Sequence, residues 1–229
     1  MLNPVPTSYD YSPPLEPYLS VIYADDDILV VDKPSGLLSV PGKDPSLADC
    51  LAVRAAERYP GARIVHRLDK DTSGVMVLGL SKRAISGLGM QFEKRQTKKA
   101  YVARVWGEMV GDSGRVDLPL AVDWANKPRQ QVDPEHGRPA QTDWLVLVRE
   151  PGIAGGPGIT RVKLVPRTGR THQLRVHMLA LGHPILGDQF YATGDALTAA
   201  PRLQLHAEEL AFAHPGDGRM LEFTVAPPF

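Results

Sequence analysis

The sequence predicts an α+β fold, a mixed, mainly antiparallel sheet with helices packed on its face. Three observations carry that expectation. Val75-Met76-Val77-Leu78-Gly79-Leu80 is apolar without alternation, as in a strand covered on both faces in the middle of a sheet. Residues 141–149 and 160–165 alternate and flank a glycine-rich turn at 153–158, and further strand pairs stand at 21–32 and 203–225; hairpins of this kind pair antiparallel. Between them lie segments with helical period at 47–59, 81–94 and 172–181.

Composition narrows the class. The 229 residues hold 26 Lys+Arg against 26 Asp+Glu, so any nucleic-acid partner must be met by a local basic patch rather than by the field of the whole molecule. The length allows one large domain or two small ones. One catalytic domain at 19–229 is expected, behind an extended tail at 1–18 rich in Pro, Tyr and Ser. The single Cys50 supplies neither a disulfide nor a zinc cluster. With no membrane-length apolar run and no signal-like start, a cytoplasmic monomer without membrane attachment is expected.

Taken in order, the first strand pair turns at Asp25-Asp26-Asp27, read as a solvated acidic turn. Lys33-Pro34-Ser35-Gly36-Leu37 breaks the second strand, and Asp44 and Ser46 offer cap oxygens to the helix at 47–59, closed by Pro60-Gly61. His66-Arg67-Leu68-Asp69-Lys70-Asp71-Thr72-Ser73-Gly74 has no period and reads as a loop. A charge-dense loop anchored to the most buried strand needs partners for its polar groups. Ser81 caps the helix running to about Lys94, with Ile85, Leu88 and Phe92 on one face, and its basic end (Lys94, Arg95, Lys98, Lys99) leads into an alternating strand at 101–106. Residues 111–137 are loop-rich, with a basic stretch at Lys127 and Arg129. In the helix at 172–181, Thr171 is the expected N-cap, Gly182 the C-cap, and Leu174, Met178 and Leu181 the buried stripe; His172 and Arg175 share another side.

Three separated blocks carry a resemblance: VDKPSGLLSVPG, HRLDKDTSG with KKAYVARVWG following, and GRTHQLRVHMLALGHPILGD. They resemble the RluA-type pseudouridine synthases, whose signature is HRLDxxTSG and which isomerise uridine within folded RNA. The resemblance spans about residues 19–229. It implies a pseudouridine synthase fold with an RNA cleft across the sheet, and Asp69 as the catalytic carboxylate, acting as a base at the sugar or as a nucleophile toward C1′ or C6. It also implies that Tyr101 stacks on the extruded uracil, that Arg175 pairs with the aspartate and keeps it ionised, and that Arg67 fills the gap left in the stack. His66, Arg170 and Leu174 complete the substrate-binding set. Lys98, Lys99, Lys127, Arg129 and Arg170 are candidates for phosphates. The isomerisation changes no oxidation state, so neither cofactor nor metal is required. The whole-length pattern is most similar to members acting on both large-subunit ribosomal RNA and tRNA anticodon stem-loops.

Two other readings compete. His172, His177 and His183 invite a metal hydrolase, but His172 and His177 lie five apart on one helix, off the four-residue spacing that puts two ligands on one face. A noncatalytic RNA-binding module would use the same basic residues, yet a carboxylate such as Asp69 near phosphates weakens binding unless it has another task.

Overall fold

The structure, a computed structural model, describes Leu2, Pro4 and residues 11–152 and 156–229. The expected turn at 153–158 and the expected tail at 1–18 therefore lie in part outside the described residues. The architecture is α+β with mostly antiparallel strand pairing, as the hairpin signals predict. Two compact units form, one from Asp10–Lys99 with His206–Pro228 and one around Ala100–Leu205. No helix among the described residues is long and apolar enough to cross a membrane.

In the first unit, β1 (Ser20–Ala24) and β2 (Ile28–Lys33) form a hairpin. Its acidic turn is organised rather than merely solvated. The Asp25 carboxylate accepts the amides of Asp27 and Ile28, and Asp27, 7% exposed, accepts from Ser81 Oγ at 2.6 Å and Arg83 Nη2 at 2.5 Å. Ser81 and Arg83 hold the Asp27 carboxyl below its ordinary pKa through these hydrogen bonds.

The helix expected from residue 47 starts later. Asp44 caps only a 3-10 turn, Pro45–Leu47. Cys50 is then fully extended, and α1 (Leu51–Arg58) begins with the Leu51 and Ala52 amides donating to the carbonyls of Leu38 and Ser39. The described segment from Tyr11 is fastened here. Tyr11 Oη donates to Asp49 O, and the buried Arg54 bridges the Asp49 carboxylate to the carbonyls of Pro14 and Tyr18.

β3 (Arg63–Ile64) and β4 (Ser73–Gly79) follow, and all seven residues of β4 are buried. β4 pairs antiparallel with β2 on one side. On the other it pairs in parallel with the start of β11 (Leu205–Ala213) and then with β3. This is the expected central strand. α2 (Lys82–Glu93) is capped by Ser81 Oγ and ends at Lys94, as expected; Ala84 and Leu88 pack with Val75 and Val77. β12 (Met220–Thr224) closes the final hairpin with β11.

In the second unit, β5 (Lys98–Trp106), β10 (Ile159–Pro166), β9 (Gln141–Glu150) and β6 (Ser113–Asp117) pair antiparallel in that order. β5 begins at Lys98, so Lys98 and Lys99 belong to a strand and not to the basic helix end expected. β7 (Leu120–Val122) and β8 (Gln130–Val132) form a separate hairpin.

α3 (Gln173–Ala180) is followed by the short α4 (Gly194–Thr198). Thr171 does not cap α3. His172 does, in the left-handed region at φ 54°, and the Gln173 side chain reaches back to accept from the Arg170 amide and Thr168 Oγ. The chain ahead of the helix is thus tied to Gln173, whose own amide donates to Arg170 O, with no cap bond from Thr171. At the other end Leu181 is the cap and Gly182, φ 83°, follows it; His183 N donates to Met178 O and Gly182 N to Leu179 O. Leu181 is 37% exposed, outside the buried stripe expected for it.

Candidate active site

The loop between β3 and β4 carries His66, Arg67 and Asp69. Arg67 is exposed, Leu68 is buried and Asp69 is half-buried. The backbone on both sides of Asp69 is gripped by residues of the first family-like block. Ser39 Oγ donates to Leu68 O at 2.7 Å and accepts from Leu68 N at 3.2 Å. Lys33, fully buried, donates its ammonium to Lys70 O at 2.9 Å, Leu37 O at 2.7 Å and Pro34 O at 2.9 Å. Gly36 N donates to the same Lys70 carbonyl, and Ser35 Oγ to Asp71 O at 2.7 Å. Burying a cation is costly unless its hydrogens are all met, and three carbonyl oxygens meet them here. Lys33 therefore joins the strand break after β2 to the loop bearing Asp69.

The far side of the loop is fixed by imidazoles. Between the stretches where β11 and β3 pair with β4, the Val77 amide donates to His66 Nε2 at 3.1 Å. An acceptor at Nε2 leaves the ring proton on Nδ1. The ring stacks on Phe92, centroids 4.2 Å apart. Burial, with the nearby Lys99 charge, pushes His66 down to about 3, so this imidazole is neutral at physiological pH. Lys99 is itself lowered, by burial and by Arg95, with Nζ 5.7 Å from the Phe92 centroid. Ser73 Oγ meets His206 Nδ1 at 2.9 Å, while His206 Nε2 lies 3.0 Å from Val225 O. A carbonyl partner makes Nε2 the donor, so Ser73 donates to Nδ1. Gly74, φ 115°, lets the strand approach β11: a Cβ there would collide with the Ala207 carbonyl.

In the second unit Tyr101 is half-buried on β5, opposite Leu164 of β10, and packs against the cluster that includes Leu174 and Met178. Arg170 is half-buried, its Nε donating to Pro139 O at 3.2 Å. Arg175 is 2% exposed, where an isolated reading of the helix makes it an exposed arginine. Its Nε and Nη2 donate to the Asp188 carboxylate at 2.8 and 2.6 Å, and its guanidinium lies 5.1 Å from the ring centroids of both Phe190 and Tyr191. His172, three residues earlier, joins the same group through Tyr191 Oη at 2.7 Å and a stack on Phe190. His177 meets Thr142 Oγ1 and Leu118 O, and His183 meets Trp106 O. The three histidines thus serve three different hydrogen-bonding tasks.

The structure brings His66, Arg67 and Asp69 into one loop of the first unit, and Tyr101, Arg170, Leu174 and Arg175 into the second. Sequence reasoning missed Lys33, Ser35 and Ser39 as the holders of the Asp69 loop, and Asp188, Phe190 and Tyr191 as the seat of Arg175. A signal existed for Lys33: it lies two residues beyond Val31 at the end of the apolar run Ile28-Leu29-Val30-Val31, after Asp32, where a strand entering the core carries a charge that must be satisfied.

Comparison with known proteins identifies the family. Residues 27–180 match the family model described as RNA pseudouridylate synthase. The chain is 55% identical over 206 residues to the Dual-specificity RNA pseudouridine synthase RluA of Vibrio vulnificus, covering 90% of this chain and 82% of that protein. It is 52% identical over 220 residues to the protein of that name from Escherichia coli K12, covering 96% and 98%. Among solved structures, Human RNA Pseudouridylate Synthase Domain Containing 1 superposes with a TM-score of 0.76 at 32% identity, covering 92% of this chain and 84% of that one. The Asp69 loop and the Arg175 helix thus lie in a chain that belongs to the RNA pseudouridine synthase family, enzymes that isomerise uridine to pseudouridine.

Proposed function

We propose that this chain isomerises uridines in two RNA classes, large-subunit (23S) ribosomal RNA and the tRNA anticodon stem-loop, with Asp69 as the catalytic carboxylate. The reaction breaks the C1′–N1 glycosidic bond, turns the uracil, and forms a C1′–C5 bond; N1 gains a proton and C5 loses one. Atoms and electrons balance within the nucleotide, so neither cofactor nor metal is called for. Asp69 serves as a base at the sugar or as a nucleophile toward C1′ or C6. The observation that carries the proposal is the grip on the loop: the carbonyls of Leu68, Lys70 and Asp71, on either side of Asp69, are all bonded to Ser39, Lys33 and Ser35. A carboxylate whose backbone is fixed to this degree suits a group that must meet one atom of its substrate.

Extrusion of the base costs a few kcal/mol of unstacking. In the proposal Tyr101 stacks on the uracil, Arg67 fills the vacated place in the stack, and Arg175 keeps Asp69 ionised. That residues of the two units serve one nucleotide, in an RNA cleft across the sheet, rests on the family resemblance. Arg170 and the lysines at 98 and 99 are assigned to backbone phosphates. His66 supports the loop beside the substrate, and Leu174 the floor under Tyr101. The catalytic part is placed at 19–229, with 1–18 as a tail, acting as a cytoplasmic monomer. Support for two RNA classes comes from the relatives named dual-specificity at over 50% identity.

Mapping pseudouridines in ribosomal RNA and tRNA from cells with and without the protein tests this reading. At least one site in each class is expected to revert to uridine when the protein is absent. No change in either class would overturn the substrate assignment.

A further inference from the structure

Trp124 has no place in the chemistry above, yet it is the most exposed aromatic side chain among the described residues, at 75%. It stands at the tip of the β7–β8 hairpin. Lys127 Nζ lies 3.7 Å from its ring centroid. An exposed cation–π pair is worth about 0.5–1 kcal/mol, which is less than the cost of leaving so large an apolar ring in water. A bare indole with a lysine on one face is suited to a partner that is flat, aromatic and anionic at its edge. A nucleotide has those properties: its base has a π face and its phosphate a negative charge.

The tip is ordered by its own hydrogen bonds. Asp123 accepts from Asn126 N at 3.2 Å and from Asn126 Nδ2 at 2.9 Å, and its amide donates to Arg129 O. The one carboxylate at the tip is therefore engaged with Asn126. At the base of the hairpin the Asp133 carboxylate is engaged too, accepting the amides of Glu135 and His136.

The hairpin is also joined to the seat of Arg175 within its own unit. Gln130 N donates to Tyr191 Oη at 2.8 Å, and that hydroxyl meets His172 Nδ1 at 2.7 Å. Leu120 and Val132 pack with Val176, Phe190 and Tyr191. The tip is thus carried by a hairpin anchored, within its own unit, on the group that holds Arg175.

We propose that Trp124 and Lys127 form an auxiliary RNA contact: an unpaired loop base of the substrate stacks on the indole face opposite Lys127, and the ammonium takes a phosphate beside it. The inference rests on the isomerase reading and adds to it a determinant of which RNA loop is held.

The test measures binding and turnover of a tRNA anticodon stem-loop by the wild type and by Trp124→Ala, Trp124→Phe and Lys127→Ala. Trp124→Ala is expected to weaken binding by roughly 5- to 150-fold, the range for one base–aromatic stack, with kcat at saturating RNA unchanged. Trp124→Phe keeps most of the affinity but loses the part of the RNA quenching of tryptophan emission that comes from Trp124, with Trp106 and Trp144 still emitting as in the wild type. Lys127→Ala lowers the slope of log affinity against log salt by about one. Wild-type affinity and unaltered emission quenching in the Trp124 variants, or an unchanged salt slope in Lys127→Ala, would overturn the proposal. Wild-type protein that isomerises no uridine in this stem-loop or in ribosomal RNA would instead remove the reading beneath it.

Discussion

The two charged side chains assigned to the chemistry are supported in opposite ways. Asp69 is fixed through its neighbours, whose backbone carbonyls are held by Lys33, Ser35 and Ser39. Arg175 is fixed by its own guanidinium, with two nitrogens on Asp188 and aromatic rings on its flanks. Backbone support fixes the loop from which the carboxylate projects, whereas a cation that must stay oriented in a buried place needs a carboxylate to keep it there. The comparison divides the effects of substitution: changes around Arg175 strike stability first, and changes around Asp69 strike the geometry of the loop.

The largest effect is expected at Asp188. Asp188→Ala leaves a buried guanidinium without that carboxylate and should cost about 3–5 kcal/mol in urea unfolding; a loss below about 1 kcal/mol would show that Arg175 is seated by something else. Lys33→Met comes next. It leaves the carbonyls of Pro34, Leu37 and Lys70 without their shared donor, and about 3 kcal/mol is expected, with turnover falling more than RNA affinity. Ser39→Ala removes one donor and one acceptor from Leu68 and should cost about 2 kcal/mol. If its turnover remains at the wild-type level, backbone support is not what places Asp69.

The smallest effect is the pH dependence. His66 is lowered to about 3 by burial and the Lys99 charge, so below about pH 6.5 the unfolded chain binds a proton that the folded chain refuses. Stability is fully present above the unfolded value and is lost as pH falls toward the folded one. A loss on the order of 1–2 kcal/mol between about pH 7 and about pH 5 follows for one such histidine. His177, also lowered by burial, adds with the same sign. His66→Gln, which keeps an acceptor for Val77 N without titrating, should flatten the slope measured by unfolding at the two pH values.

The hairpins β1–β2, β9–β10 and β11–β12, the central position of β4 and the span of α2 were legible because they follow from apolar period and a serine cap, whereas β6, β7 and β8, short strands in the stretch 111–137 read as loop-rich, were not. The start of α1 was not, since Asp44 also caps a 3-10 turn and the carbonyls that receive the first α1 amides come from Leu38 and Ser39. The cap of α3 was not legible either. Thr171 has the right side chain, but the entry to α3 is closed by Gln173, whose side chain accepts from Arg170 N and Thr168 Oγ and whose amide donates to Arg170 O. The candidate site residues come from resemblance; of their supports, Lys33 left a local signal at the end of its strand, whereas Asp188, thirteen residues from Arg175, left none. Arg175 shows the same limit, as its burial depends on Phe190 and Tyr191, fifteen and sixteen residues on.

Release of hydrogen from C5 of uridine tests the role of Asp69 most directly, since forming the C1′–C5 bond must expel it. With C5-tritiated anticodon stem-loop and ribosomal RNA under single-turnover conditions, the wild type should release tritium. Asp69→Asn should release none while melting as the wild type does and still binding the RNA. Tritium release by the folded Asp69→Asn protein at the wild-type rate would contradict the account.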